Sequence, residues 1–150
     1  MSYDHKQTGG LHLLVFATVG IMLAGAWWAR GEPFAAVILA ATGLCILPLA
    51  FTFQHLRVRD EGDWLAVRYG PLPLFRKRIP YAQITAAEPD RSSFLDGWGI
   101  HYVPGRGWTY NLWGYDCVKL TLGRKVIRVG TDDRDNLVVF LRTKISQDNV

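Results

Sequence analysis

The sequence predicts a membrane α-helical hairpin followed by a β-rich, partly open barrel of about seven antiparallel strands capped by a C-terminal helix. Three observations carry that expectation. Of 17 basic and 13 acidic residues, the first 54 positions hold only Lys6, Arg30, Asp4 and Glu32. Near His55 the apolar pattern changes from long runs to short alternating segments divided by turn residues. The C-terminal stretch then returns to helical spacing. The chain of 150 residues accordingly divides into an N-terminal tail (1–10), a two-helix hairpin (11–54) and a polar domain (55–150). A soluble enzyme filling the whole length is excluded by that division. With only Cys45 and Cys117 and 49% hydrophobic residues, so are a disulfide scaffold, a zinc ribbon and a disordered chain.

Residues 7–29 and 33–56 contain no Asp, Glu, Lys or Arg, and each stretch exceeds the roughly 20 residues that an α-helix needs to cross a hydrocarbon core. Trp27 and Trp28 suit one membrane interface, Phe51 and Phe53 the other. Arg30-Gly31-Glu32 makes a tight connection; Pro33 fits a first helical turn, where a missing N–H costs little, and Pro48 is positioned to kink the second span. Lys6, Arg57, Arg59 and Arg68 fall on one side of the hairpin and Arg30 alone on the other, which predicts cytoplasmic termini. A cleaved leader ending at Ala24-Gly25-Ala26 is the competing reading; the long uncharged stretch and the acidic Asp4 argue against it. His12 and His55 fall at similar depth in such a hairpin and can in principle ligate a haem. Two polar residues resting at headgroup level are the preferred reading, since nothing else in the sequence suggests electron transfer, and no cofactor is expected.

In the polar domain, Leu56 and Val58 alternate with Arg57 and Arg59, Asp60-Glu61-Gly62-Asp63 turns the chain, and Leu65, Val67 and Tyr69 alternate with Ala66 and Arg68. Further strand candidates are 75–79, 84–88, 98–103, 108–113, 116–122 and 125–129, with Gly105-Arg106-Gly107 and Gly123-Arg124 as hairpin turns. The final helix can be capped by Thr131 or Asp132, carries Asp133 and Asp135 at its positive end, and presents Leu137, Val138, Leu141 and Ile145 on one side. Such a helix must cover something, and two bent sheets leave an open end that it can plug.

In their order and spacing, Val67-Arg68-Tyr69-Gly70, Arg78-Ile79-Pro80-Tyr81-Ala82-Gln83-Ile84, Gly97-Trp98-Gly99-Ile100, Tyr110-Asn111 and Val129-Gly130-Thr131-Asp132-Asp133 make residues 56–145 resemble the bacterial pleckstrin-homology-like domains that follow two transmembrane helices. The resemblance implies seven strands plus a C-terminal helix in a multi-pass protein of the bacterial inner membrane, both termini inside. It supplies no catalytic site.

The chemistry-bearing motifs are sparse. No phosphate-binding loop, His-Glu-x-x-His or Cys-x-x-Cys occurs in the sequence. Ser92, Ser93 and Cys117 lack a suggestive His and acid nearby, and His101 alone makes no triad, so no enzyme activity is expected. In phosphoinositide-binding pleckstrin-homology domains, Lys and Arg around the first hairpin turn hold the ligand. Here that turn carries three carboxylates, which disfavours a phosphorylated headgroup. The basic cluster Arg76-Lys77-Arg78 is the candidate contact for anionic lipid; strand alternation sends Lys77 to the opposite face from Arg76 and Arg78. A net charge of +4 on a domain tethered to an anionic bilayer needs no nucleic acid to explain it. Trp98, Tyr102, Trp108, Tyr110, Trp113 and Tyr115 form the remaining cluster. Trp108, Trp113 and Tyr115 are the candidate partner contacts, with Trp113 expected to point outward as an interface anchor. The composite expectation is a non-enzymatic, membrane-anchored interaction or assembly subunit with a protein partner or a second copy of itself; an anionic-lipid-responsive module is the alternative.

Overall fold

The residues ahead of the first apolar run alternate in burial: Tyr3 and Gln7 are buried, whereas Asp4, Lys6 and Thr8 face solvent. That is the period of a strand with one covered face. In the computed structural model, which describes residues 2–92 and 98–148, this segment is strand β1 (Asp4–Thr8). Two helices follow, α1 (Leu11–Trp28) and α2 (Pro33–Thr52), and then β2 (His55–Asp60) runs antiparallel to β1, with Thr8 opposite His55 and Asp4 opposite Arg59. The segment expected as a tail is therefore a strand of the domain, and the helical hairpin is an insertion between two paired strands. Apolar alternation does not reveal β1, because its inward positions are polar and make hydrogen bonds. Tyr3 donates its hydroxyl to Asp133 (3.1 Å), His5 Nε2 lies 2.5 Å from Asp132 Oδ1, and Gln7 donates to the Trp113 carbonyl (2.9 Å).

Both helices are apolar on all sides and find little protein to pack on. Val19, Gly43, Ala50 and Thr52 are buried, while Leu13, Ile21, Val37 and Leu44 are exposed. The core helix of a soluble domain would cover most of such a surface. Each is long and apolar enough to cross a membrane. Phe16 meets Phe51 edge-on at 5.3 Å near the domain, and at the far end the Arg30 guanidinium lies 4.9 Å over the exposed Trp27 ring. His12 packs edge-on against Phe16, and the His55 ring covers Gly70, so each imidazole has a packing role.

The first sheet has the order β1-β2-β3-β4, all antiparallel, with β3 at Trp64–Gly70 and β4 at Arg76–Pro80. A short 3-10 turn, Tyr81–Gln83, leads into the second sheet: β5 (Ala86–Arg91), β6 (Gly99–Val103), β7 (Gly107–Asn111), β8 (Asp116–Leu122) and β9 (Lys125–Gly130), in the order β5-β8-β9-β7-β6. The described residues thus contain nine strands rather than about seven. The β7–β9 pair is parallel, because the chain leaves β7 for β8 and β9 returns between them. Among the described residues no ladder joins the two sheets, so the barrel is not closed.

Leu56, Val58, Leu65, Val67, Leu112, Val118, Leu120 and Val129 fill the space between the sheets, each worth about 1.5–3 kcal/mol of burial. Tyr69 ties the layers together by donating to the Asn111 carbonyl at 3.0 Å, with that of Gly99 at 3.3 Å. Burial without a charged partner pushes its phenol well above the ordinary tyrosine value. Helix α3 (Arg134–Asp148) lays Leu137, Val138, Phe140 and Leu141 on the core; ahead of it, the Thr131 hydroxyl accepts the Asp133 N–H at 3.0 Å. Arg142 donates to the Ala87 carbonyl on β5 (3.2 Å), and Lys144 sits 3.4 Å from Asp60 on β2. The helix therefore bridges the two sheets at one open end.

One ion pair supports the middle of the second sheet. Arg128 on β9, its side chain only 9% exposed, donates to Asp90 on β5 at 2.7 Å and also to the Arg106 carbonyl. Burial raises the Asp90 carboxyl, but the Arg128 hydrogen bond, the Arg91 N–H and the Arg128 and Arg106 charges outweigh it and hold the group below the usual carboxylate range. A depressed folded-state value means that this stabilisation is complete above the unfolded carboxylate value near ~4 and is lost as pH falls through the folded one. Asp90→Asn should therefore cost about 1–3 kcal/mol at neutral pH, because Arg128 is left without its counter-charge. The difference from the parent should shrink below pH ~4, as measured by urea unfolding at several pH values. A pH-independent difference would assign the effect to packing.

Candidate functional site

The parallel pairing of β7 with β9 has a local consequence. Parallel strands begin at the same end of a sheet, so the turns that precede them lie side by side. Both turns carry cations: Arg106 ahead of β7, and Arg124 with Lys125 ahead of and at the start of β9. Gly107 makes this approach possible. It sits at φ +88°, and a Cβ there would run into the Val126 carbonyl.

Beside these turns the free edge of β4 and the β6–β7 hairpin leave a gap, a cavity of about 570 Å³ lined by Lys77, Tyr102, Arg106, Trp108, Tyr110, Arg124, Lys125 and neighbouring backbone. Lys77 reaches it because it stands opposite Val67, on the inner face of the first sheet, but on the edge strand, where it is exposed. Tyr102 and Trp108 are cross-strand partners with ring centroids 5.6 Å apart, and Tyr110 stacks beyond Trp108 at 6.4 Å. Partial burial raises the Tyr110 phenol, which therefore stays neutral at physiological pH. Among the described residues no carboxylate lines the cavity, and none lies within ion-pairing distance of Lys77, Arg124 or Lys125. Lys77, Arg124 and Lys125, so placed beside aromatic faces, attract an anionic group attached to a flat or apolar body.

The sequence-derived candidates are redistributed. Of Arg76, Lys77 and Arg78, only Lys77 enters the cavity. Arg78 faces the other way and is 3.0 Å from Glu61, which also pairs with Arg68. The acidic first turn is thus partly neutralised within the sheet: Glu61 holds two arginines, and Asp60 accepts from Tyr81 (3.0 Å) and pairs with Lys144 (3.4 Å). Of Trp108, Trp113 and Tyr115, only Trp108 lines the cavity. Trp113 is 38% exposed, and its ring is held: it stacks on Trp98 at 4.2 Å and covers Gly9 and Gly10. A Cβ on Gly9 would meet Trp113 Cβ at 2.5 Å, so Trp113 packs the joint between β1 and α1. Tyr115 is exposed, and its carbonyl receives the Ser92 N–H and hydroxyl. Ser92 is thereby used in structure, Cys117 is buried in β8, and Ser93 and Gly97 lie outside the described residues.

Tyr102, Arg106, Arg124 and Lys125 were missed as site residues. Their only signal in the sequence was an Arg in each of two glycine turns, which acquires meaning once the parallel register is known. No protein-family model matches this chain, and no curated protein matches it.

Proposed function

We propose that this protein is a non-catalytic binding module anchored in the bacterial inner membrane, with a pleckstrin-homology-like domain on the cytoplasmic side that receives an acidic segment of a protein partner. Support for the anchor comes from two wholly apolar helices with little protein around them and from the basic residues gathered on the domain side of the hairpin. Support for the pleckstrin-like reading comes from the order of the elements: two facing sheets followed by a helix that covers one end. The observation that carries the binding function is the cavity, in which Lys77, Arg124 and Lys125, without a carboxylate partner among the described residues, meet Tyr102, Trp108 and Tyr110 at the free edge of β4. An extended acidic segment can pair with that edge through main-chain hydrogen bonds and set a side chain between the aromatic rings.

Photo-crosslinking in living cells tests this. A benzophenone amino acid in place of Tyr102 should give a discrete protein adduct, and Arg124→Glu with Lys125→Glu should reduce it at least tenfold. An adduct insensitive to those charge reversals, or one formed only from position 113, would move the partner site away from the cavity.

A further inference from the structure

The register of the first sheet assembles a feature that no stretch of sequence contains. Lys6 on β1 stands opposite Arg57 on β2, Arg57 opposite Arg68 on β3, and Arg68 opposite Arg76 on β4. Four cations thus form a single row across all four strands on the outer face, where their neighbours in the strand direction are Asp4, Arg59, Ala66 and Arg78. Like charges directly opposite one another destabilise a sheet. The fold offsets part of this with two carboxylates: Asp4 holds Arg57 in a two-pronged pair (2.7 and 2.5 Å), and Glu61 holds Arg68 and Arg78. Six cations face two carboxylates, and among the described residues Lys6 and Arg76 have no carboxylate partner. The charge is felt locally: burial, Lys6 and Arg57 together lower the His55 imidazole, two residues nearer the helices.

The position of the row argues for its partner. Thr8 and His55 are paired where the strands meet the helical hairpin, and Lys6 and Arg57 are two residues further on. At about 3.3 Å per residue the row lies roughly 7 Å beyond that pair, comparable to the thickness of the headgroup layer on one side of a bilayer and within reach of long basic side chains. Because β1 leads into α1 and β2 follows α2, both ends of the hairpin hold the row at one level. We propose that Lys6, Arg57, Arg68 and Arg76 form a contact surface for anionic lipid headgroups of the bilayer in which the hairpin is anchored. This inference rests on the membrane reading above, and it assigns the lipid contact to a row across four strands instead of to the consecutive residues 76–78.

The test uses the full chain reconstituted in vesicles of phosphatidylcholine with a minority of phosphatidylglycerol. Spin-labelled versions of the two lipids report which is retained at the protein. The parent should favour phosphatidylglycerol, and Lys6→Gln with Arg76→Gln, which disturbs no ion pair in the sheet, should reduce the preference by roughly fivefold per charge removed. Arg91→Gln with Lys119→Gln, an equal loss of charge on the second sheet, outside the cavity, should leave it unchanged. About 1 M salt should abolish it in the parent. A nitroxide on Cys45, exposed on α2, separates the two ways of failing. If it is shielded from a water-soluble nickel chelate while no phosphatidylglycerol preference exists, or while both double variants lose it equally, the lipid surface is wrong and the anchor stands. A water-accessible Cys45 would overturn the anchor and this inference with it. Retention of the parent on immobilised polyglutamate, lost in the Lys6/Arg76 variant without any lipid preference, would overturn the inference in favour of an acidic protein.

Discussion

Leu141→Asp should abolish the cooperative unfolding of the domain. Leu141 is fully buried on α3 among Leu137, Val138 and Phe140, where the helix closes the open end between the sheets. Truncating a buried leucine costs about 2–5 kcal/mol, and a carboxylate there must be dehydrated or drawn out by undocking the helix, which adds several kcal/mol. Together these approach the total stability of about 5–15 kcal/mol typical of a domain. The polar contacts at the helix ends cannot compensate. Arg142 donates to the Ala87 carbonyl at 3.2 Å, and Lys144 reaches Asp60 at 3.4 Å and the Gly62 carbonyl at 3.3 Å from a partly exposed side chain; such contacts contribute about 1 kcal/mol each. Limited proteolysis and near-ultraviolet circular dichroism of the full chain report the outcome, since helical signal from α1 and α2 would persist. A variant that melts like the parent would mean that α3 is not part of the core.

Replacing residues 9–54 by the dipeptide Asn-Gly should yield a soluble, folded domain more stable by about 3 kcal/mol than a chain begun at His55. Thr8 and His55 face each other at the end of the β1–β2 ladder, so a two-residue turn of the type favoured in hairpins can join them without altering register. The gain has identifiable sources. Tyr3 is buried and stacks on Phe140 at 5.5 Å, worth about 1.5–3 kcal/mol, and Gln7 bonds to the Trp113 carbonyl, worth roughly 1 kcal/mol. Without β1, β2 becomes an open edge. Urea midpoints of the two proteins decide the matter; equal midpoints would show that β1 adds nothing to the domain.

Much of the architecture was legible. The two helices follow from uninterrupted apolar length, and their observed bounds, Leu11–Trp28 and Pro33–Thr52, fall inside the charge-free stretches. Most of the strands after His55 follow from alternation and glycine turns, and the α3 contact face from its 3.6-residue spacing. These features depend on near neighbours in the chain, so near neighbours reveal them. The strand β1 was hidden because hydrogen bonds to Asp132, Asp133 and Trp113 stand in for apolar burial. Trp113, read as an outward anchor, packs on Trp98 and Gly9 because the strand ahead of α1 passes beside it. The split of Arg76, Lys77 and Arg78 between two faces was foreseeable from strand period; that Lys77 would line one cavity with Trp108 was not.

The sequence by itself determined that a charge-poor helical hairpin precedes a β-rich domain, and that the domain ends in an amphipathic helix, since hydrophobic length and period are written in consecutive residues. The tertiary structure decided which residues meet. Antiparallel pairing of β1 with β2 sets the hairpin between two bonded strands and aligns Lys6, Arg57, Arg68 and Arg76 in one row. Parallel pairing of β7 with β9 brings two arginine-bearing turns to one cavity with Lys77 and Trp108. Both outcomes depend on strand order and register, which arise from packing between segments distant in sequence and leave no local period to read.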